Sequence, residues 1–221
     1  MQRTERRTID GLVGPIEIAL DYPVGAARGC AFVGHPHPLY GGTLENKVAA
    51  TLARAFTALG WIAVRPSFRG VGGTAGTHDH GNGETDDFLH VIAQLPGQLG
   101  VAGGAQAVGG FSFGSFVAAR AAERLAAIGQ APRHQIYVGS AAGKWPMPAV
   151  AAQALVVHGE YDETIPLPDV LTWARPQDLP VVVLPGADHF FHRRLSILKR
   201  LIVNHLVAQR MTASGPEIDA I

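Results

Sequence analysis

Along this chain, short and largely apolar blocks alternate with longer segments of helical period. The blocks cover residues 29–34, 61–64, 105–108, 135–138, 154–157 and 181–184. Blocks this short suit strands whose two faces are both covered, as in a parallel sheet. Between them, residues 46–59 place Val48, Leu52, Phe56 and Leu59 at helical spacing and stop at Gly60, which predicts a helix closed by a glycine. Residues 84–94, with Phe88, Val91 and Ile92, read as a second helix, and residues 193–209 as a long amphipathic one. Near the N-terminus, residues 7–10 and 15–20 flank Gly11 and Gly14, the pattern of an antiparallel pair at a sheet edge. Strands alternating with helices predict an α/β fold, a mostly parallel sheet with helices on both faces. There is no repeat and no linker, so residues 1–221 are expected to form one domain, with 210–221 as a frayed tail.

Composition narrows the class. At 221 residues and 47% hydrophobic the chain can fill one core. Eighteen Lys and Arg balance eighteen Asp and Glu, so no charge excess favours nucleic acid or an anionic membrane as partner. Cys30, the single cysteine, excludes an intrachain disulfide and lies in an apolar run, where a buried hydrophobe is expected. The first seven residues are polar, unlike a secretory leader, and no apolar run approaches the ~20 residues of a membrane span. A cytoplasmic location is the expectation.

The chemistry centres on Gly110-Phe111-Ser112-Phe113-Gly114, which follows an apolar block and precedes Ala118–Leu125, a run of good helix formers. Strand, Gly-x-Ser-x-Gly, helix is the setting of a nucleophile elbow. The glycines let the strained turn approach its neighbours, and the helix N-terminus favours developing negative charge. With 27 glycines and six serines, chance alone would produce such a motif in about one chain in ten. The partners must therefore carry the argument.

A serine needs a base, and the base needs an orienting acid. Asp162, in His158-Gly159-Glu160-Tyr161-Asp162, follows one predicted buried strand, and His189, in Gly186-Ala187-Asp188-His189-Phe190-Phe191, follows the last. Functional groups of an open parallel sheet collect at the carboxyl ends of its strands. Ser112, Asp162 and His189 thus converge in the chain order this elbow requires. Glu160 competes as the acid, and Asp188 more weakly. For the oxyanion, one expected donor is the N–H of Phe113. The other comes from His35-Pro36-His37-Pro38-Leu39, where the prolines have no N–H and His37 is taken first over His35 and Leu39. Tyr40, Phe113, Trp145, Met147 and Phe190 are candidates for an apolar substrate pocket, core packing being an equal reading of each. His35, His37, His78, Asp79 and His80 could in principle suit zinc, but their spacing matches no zinc pattern. Neither metal nor cofactor is expected, and His78 and His80 read as a solvated loop. Residues 139–153 are too few for an inserted lid, so an open site is expected.

These residues resemble the alpha/beta hydrolase superfamily, and more narrowly its small lidless hydrolases with a His-Pro-His-Pro-x-x-Gly-Gly-Thr loop, here His35 to Thr43, followed by Asn46-Lys47-Val48. Phe68-Arg69-Gly70-Val71-Gly72, Asp79-x-Gly81-x-Gly83-Glu84-x-x-Asp87 and the segment around His189 share the likeness, which runs from about Gly29 to His205. Ser67 departs from it, standing where asparagine would be expected. The resemblance implies an eight-stranded sheet with one antiparallel strand, a Ser112–His189–Asp162 triad and esterase-type hydrolysis of a small-molecule ester. Thioester or short-peptide hydrolysis would use the same triad. A binding protein that keeps the fold without turnover is the rival from another class.

Overall fold

The computed structural model of the protein describes residues 3–212. Strands β1 (Arg3–Asp10) and β2 (Pro15–Tyr22) form an antiparallel hairpin. There follow β3 (Gly29–Gly34), α1 (Lys47–Ala58), β4 (Ile62–Pro66), α2 (Asn82–Gln98), β5 (Ala105–Phe111) and α3 (Phe113–Ala127). The chain continues through β6 (His134–Val138), β7 (Leu155–Gly159), α4 (Leu167–Ala174), β8 (Val181–Leu184) and α5 (Leu195–Thr212). One eight-stranded sheet has the order β1-β2-β4-β3-β5-β6-β7-β8. Only β2 opposes its neighbours among these pairings; from β4 to β8 all are parallel.

Alternation along strands β3 to β8 feeds two cores, one on each face of the sheet, while β1 and β2 supply only the first. In β3, Cys30 and Phe32 pack with residues of α2, α3 and α4, while Ala31 and Val33 pack with α1 and α5. Both faces being covered, the strand has no polar position to offer, which is why it reads as an unbroken apolar run. Phe32 and Phe56, each 0% exposed, contribute about 1.5–3 kcal/mol apiece through burial.

Two polar ties hold the loops that lead to the sheet's carboxyl edge. The Arg69 guanidinium grips Asp87 of α2 with two hydrogen bonds, at 2.7 and 3.1 Å, the planar fork that carboxylates favour. Asn46 caps α1 by accepting the N–H groups of Val48 and Ala49. Ser67 is buried, and its stretch is held through the backbone, its N–H donating to the Glu17 carbonyl at 2.8 Å.

The structure departs from the sequence expectations in several places. α2 continues through Pro96 to Gln98 because Leu95 is fully buried and the proline falls in the last turn, where one lost bond matters least. α5 starts later than residue 193, since Phe191 and Arg193 have left-handed backbone (φ 53° and 59°). It also runs through residues 210–212, which were expected in the tail; residues 213–221 lie outside the described part. α4 was not expected at all. Only Val170 and Ala174 of it are buried, and Pro166, Pro168 and Pro176 mask its helical signal.

Candidate active site

Ser112 sits between β5 and α3 with φ 55° and ψ −125°, a conformation few non-glycine residues adopt. The neighbouring glycines are required by contact. A Cβ on Gly110 would lie 2.1 Å from the Gly114 carbonyl oxygen, and one on Gly114 2.3 Å from Gly34. The strained turn is tied down by the Ser112 N–H donating to Val138 at 3.0 Å and by Ser115, whose hydroxyl donates to the Ser112 carbonyl at 2.6 Å.

The Ser112 hydroxyl lies 3.0 Å from His189 Nε2, and His189 Nδ1 lies 2.7 Å from Asp162 Oδ2. Asp162 meets only N–H groups, with Oδ2 facing His189 Nδ1, so the ring proton belongs on Nδ1 and Nε2 is free to accept the serine proton. The other Asp162 oxygen accepts the N–H groups of Thr164 and Ile165, at 3.0 and 2.7 Å, which fixes the carboxylate plane. Ser112, Asp162 and His189 are all buried. The His189 ring packs on Phe111, centroids 4.8 Å apart, and the loop is pinned by the fully buried Phe191.

No family model matches the chain. A lidless alpha/beta serine hydrolase from Xanthomonas campestris superposes with a TM-score of 0.85 at 36% identity, over 93% of this chain and 94% of that one. An alpha-beta serine hydrolase homologue from Coxiella burnetii gives 0.79 at 35%, over 91% and 97%. The chain belongs to the alpha/beta serine hydrolases. An uncharacterised protein of Rickettsia prowazekii is 28% identical over 191 residues, 80% of this chain and 78% of that protein.

In this hydrolase no lid is inserted between β6 and β7; residues 139–154 carry only an isolated bridge between Ala142 and Trp145. No helix among the described residues is long and apolar enough to cross a membrane. The competing carboxylates are turned elsewhere. Glu160 accepts the N–H of Gly186 at 2.8 Å, and Asp188 holds His192. Of the loop amides, that of Leu39 is taken by His37 Nδ1 at 3.2 Å, whereas those of Phe113 and His37 have no acceptor among the described residues.

The His35 imidazole is fully buried, accepting the Phe68 N–H on Nε2 at 2.9 Å and donating from Nδ1 to the Pro36 carbonyl at 2.7 Å. Burial pushes its pKa down to about 4. His37 is lowered by burial and by the neighbouring His78. His158, at the end of β7, is lowered by burial and donates from Nε2 to the Ile165 carbonyl at 2.8 Å. Burial pushes the Cys30 thiol up to about 12, so it stays protonated and inert.

A cleft of about 390 Å³ opens beside Ser112, walled by His37, Tyr40, Phe113, Lys144, Trp145 and Ile165. Tyr40 and Trp145 therefore stand where a pocket was expected. Met147 does not: it is absent from the cleft walls and packs, partly buried, against the core, in a tight turn closed by its N–H donating to the Trp145 carbonyl at 2.8 Å. Phe190 lines a second cleft of about 440 Å³ on the His189 side, with Tyr161, Glu163, Thr164 and Asp188. A larger depression of about 510 Å³, lined by Arg28, Trp61, Arg133 and His134, lies at the opposite edge of the sheet, away from Ser112.

His78 corrects the expectation of a solvated loop. Its side chain is 5% exposed, it binds Glu84 at 3.1 Å, and its ring lies against His37 and Phe113. The buried Glu84 draws the loop inward by also accepting the Asp79 and Gly81 N–H groups. Among the described residues, no group of three His, Cys, Asp or Glu side chains could hold a metal ion. Lys144, Thr164 and Ile165 were not foreseen in the site. No motif marks them, and only Thr164 and Ile165, two and three residues after Asp162, had a positional cue.

Proposed function

We propose that the protein hydrolyses small carboxylic esters through an acyl-enzyme on Ser112. One observation carries this reading: the unbroken row Ser112 Oγ, His189 Nε2, His189 Nδ1 and Asp162 Oδ2, with hydrogen-bond spacings of 3.0 and 2.7 Å. His189 accepts the hydroxyl proton as Ser112 Oγ bonds to the ester carbonyl carbon, and Asp162 stabilises the imidazolium. The oxyanion forms against the unengaged N–H groups of Phe113 and His37, at the N-terminus of α3. His189 then returns the proton to the alkoxy oxygen as the C–O bond breaks and the alcohol leaves. Water, deprotonated by the same nitrogen, releases the acid and restores the hydroxyl.

The test is labelling with a fluorophosphonate, which phosphonylates only an activated serine. Wild type should gain one adduct, located on Ser112, and Ser112→Ala none; an unlabelled wild type, or a labelled alanine variant, overturns the reading.

A further inference from the structure

The two clefts that meet beside the Ser112–His189 hydrogen bond differ in charge. Thr164 lines both. The first has Lys144 and no carboxylate in its walls; the second has Glu163 and Asp188. Their roles follow from the direction of the chemistry, granted the serine mechanism proposed above. His189 protonates the departing oxygen, so the leaving alcohol lies on the side that His189 lines. The acyl group then occupies the cleft lined by Ser112, Phe113 and His37, next to the oxyanion donors.

The backbone of Lys144 is held in place relative to the nucleophile, and its side chain is exposed. The Ser115 hydroxyl donates to the Ser112 carbonyl at 2.6 Å and accepts the Ala141 N–H at 3.0 Å. The Ala141 carbonyl in turn accepts the N–H groups of Lys144 and Trp145, at 3.2 and 3.0 Å. The short turn that carries the ammonium is thus bolted to the elbow. Asp169 packs against Gly143, yet Lys144 forms no ion pair among the described residues. Its neighbour Trp145 is immobilised by stacking on Phe116 at 5.3 Å and by edge contact with Phe113 at 4.9 Å.

We infer that the substrates are hemiesters: short acyl groups that end in a second carboxylate, seated with the ester carbonyl at Ser112 and the free carboxylate at Lys144. A cleft of about 390 Å³ is of small-ligand size, at the lower end of the usual range of about 300–1,000 Å³. The aromatic walls cover the methylenes, and the lysine supplies the one full cation. An anionic leaving group would instead meet Glu163 and Asp188, so the charge belongs on the acyl half.

The experiment compares benzyl hydrogen glutarate with benzyl pentanoate, which share a leaving group and chain length and differ in the terminal carboxylate. Benzyl alcohol release is followed by chromatography. The wild type should favour the hemiester in kcat/KM, and about 0.5 M salt should erode that preference, as for any exposed charge. Lys144→Ala should lower the hemiester-to-pentanoate ratio by about fivefold, the scale of one exposed ion pair, and Lys144→Arg should restore it. A ratio that is the same in Lys144→Ala as in wild type overturns the inference while the esterase reading stands. If the wild type cleaves neither ester, this inference falls, and fluorophosphonate labelling of Ser112 decides whether the esterase reading falls with it.

Discussion

The Nδ1–H of His35 donates to the carbonyl of Pro36 at 2.7 Å, and that carbonyl belongs to the same peptide unit as the His37 N–H. The described chain contains no cis peptide bond, so in this unit C=O and N–H point in opposite directions. Turning the carbonyl toward the buried ring turns the amide away from it. The ring is held from behind by the Phe68 N–H on Nε2, which also fixes the tautomer that can donate. A backbone donor proposed for the oxyanion is therefore oriented by a neutral histidine two residues earlier.

His35→Ala should lower kcat by one to two orders of magnitude with a smaller change in KM, because the amide stabilises the transition state more than bound substrate. It should also destabilise the fold by about 1–3 kcal/mol, the cost of leaving a buried partner unpaired. Steady-state kinetics and urea titration at pH 7.5 measure both. Unchanged kcat in a variant that folds would detach His35 from the oxyanion site.

How much of this was legible in the sequence depended on whether a property is periodic or local. The elbow was legible because Gly110 and Gly114 are demanded by direct backbone contact, and only glycine answers that demand. The strand count and the single antiparallel strand came with the resemblance, and the apolar runs followed from two covered faces. The choice between Asp162 and Glu160 was harder. It turns on β7 continuing to Gly159, which points Glu160 at the Gly186 amide and Asp162 back toward His189. Trp145 and Met147 stand two residues apart in an aperiodic loop, where nothing in the pattern says which one faces the cleft. His78 was misread because the residue that pulls it inward, Glu84, is a fully buried carboxylate whose bonds are mostly to backbone N–H groups.

Stability should fall as pH drops below neutrality. His35, His37, His134, His158 and His205 all have pKa values below the ordinary one, each chiefly through burial. The folded state thus prefers them neutral, while the unfolded chain takes up protons from about pH 6.5 downward. Their contribution is complete above that pH and is lost as pH falls; for His35 the window closes near its folded value of about 4. His35 alone represents on the order of 3 kcal/mol across that window. Urea midpoints measured from pH 7.5 to 4.5 should decline steadily, and less steeply in His35→Gln. A flat profile between pH 7 and 5 would contradict this account.

Acyl length should matter because the site has no lid. The cleft beside Ser112 is walled partly by aromatic side chains and is only about 390 Å³, so a long alkyl chain has to lie over exposed surface. Across 4-nitrophenyl esters, kcat/KM should be greatest for acyl groups of about two to six carbons and at least tenfold lower at sixteen, since the added methylenes gain little burial. A steady rise from acetyl to palmitoyl would contradict it.

Asp162→Asn and Glu160→Gln separate the two candidate acids. Asparagine at 162 can still offer its carbonyl oxygen to the Thr164 and Ile165 N–H groups, which now bind Oδ1 at 3.0 and 2.7 Å. Its NH2 group then faces His189 Nδ1, which must become an acceptor. The ring proton moves to Nε2, and the nitrogen next to Ser112 Oγ can no longer act as base. In the serine-protease case the same exchange lowers kcat about 10⁴-fold, and a loss of several orders of magnitude with a much smaller change in KM is expected here. Glu160→Gln retains an oxygen for the Gly186 N–H, which Glu160 accepts at 2.8 Å in wild type, and should cost at most about tenfold, the size of one weakened hydrogen bond. Thermal melts of both variants guard against a folding defect, since each carboxylate also holds loop amides. A dead Glu160→Gln beside an active Asp162→Asn would reverse the assignment of the acid and leave Ser112 and His189 in place.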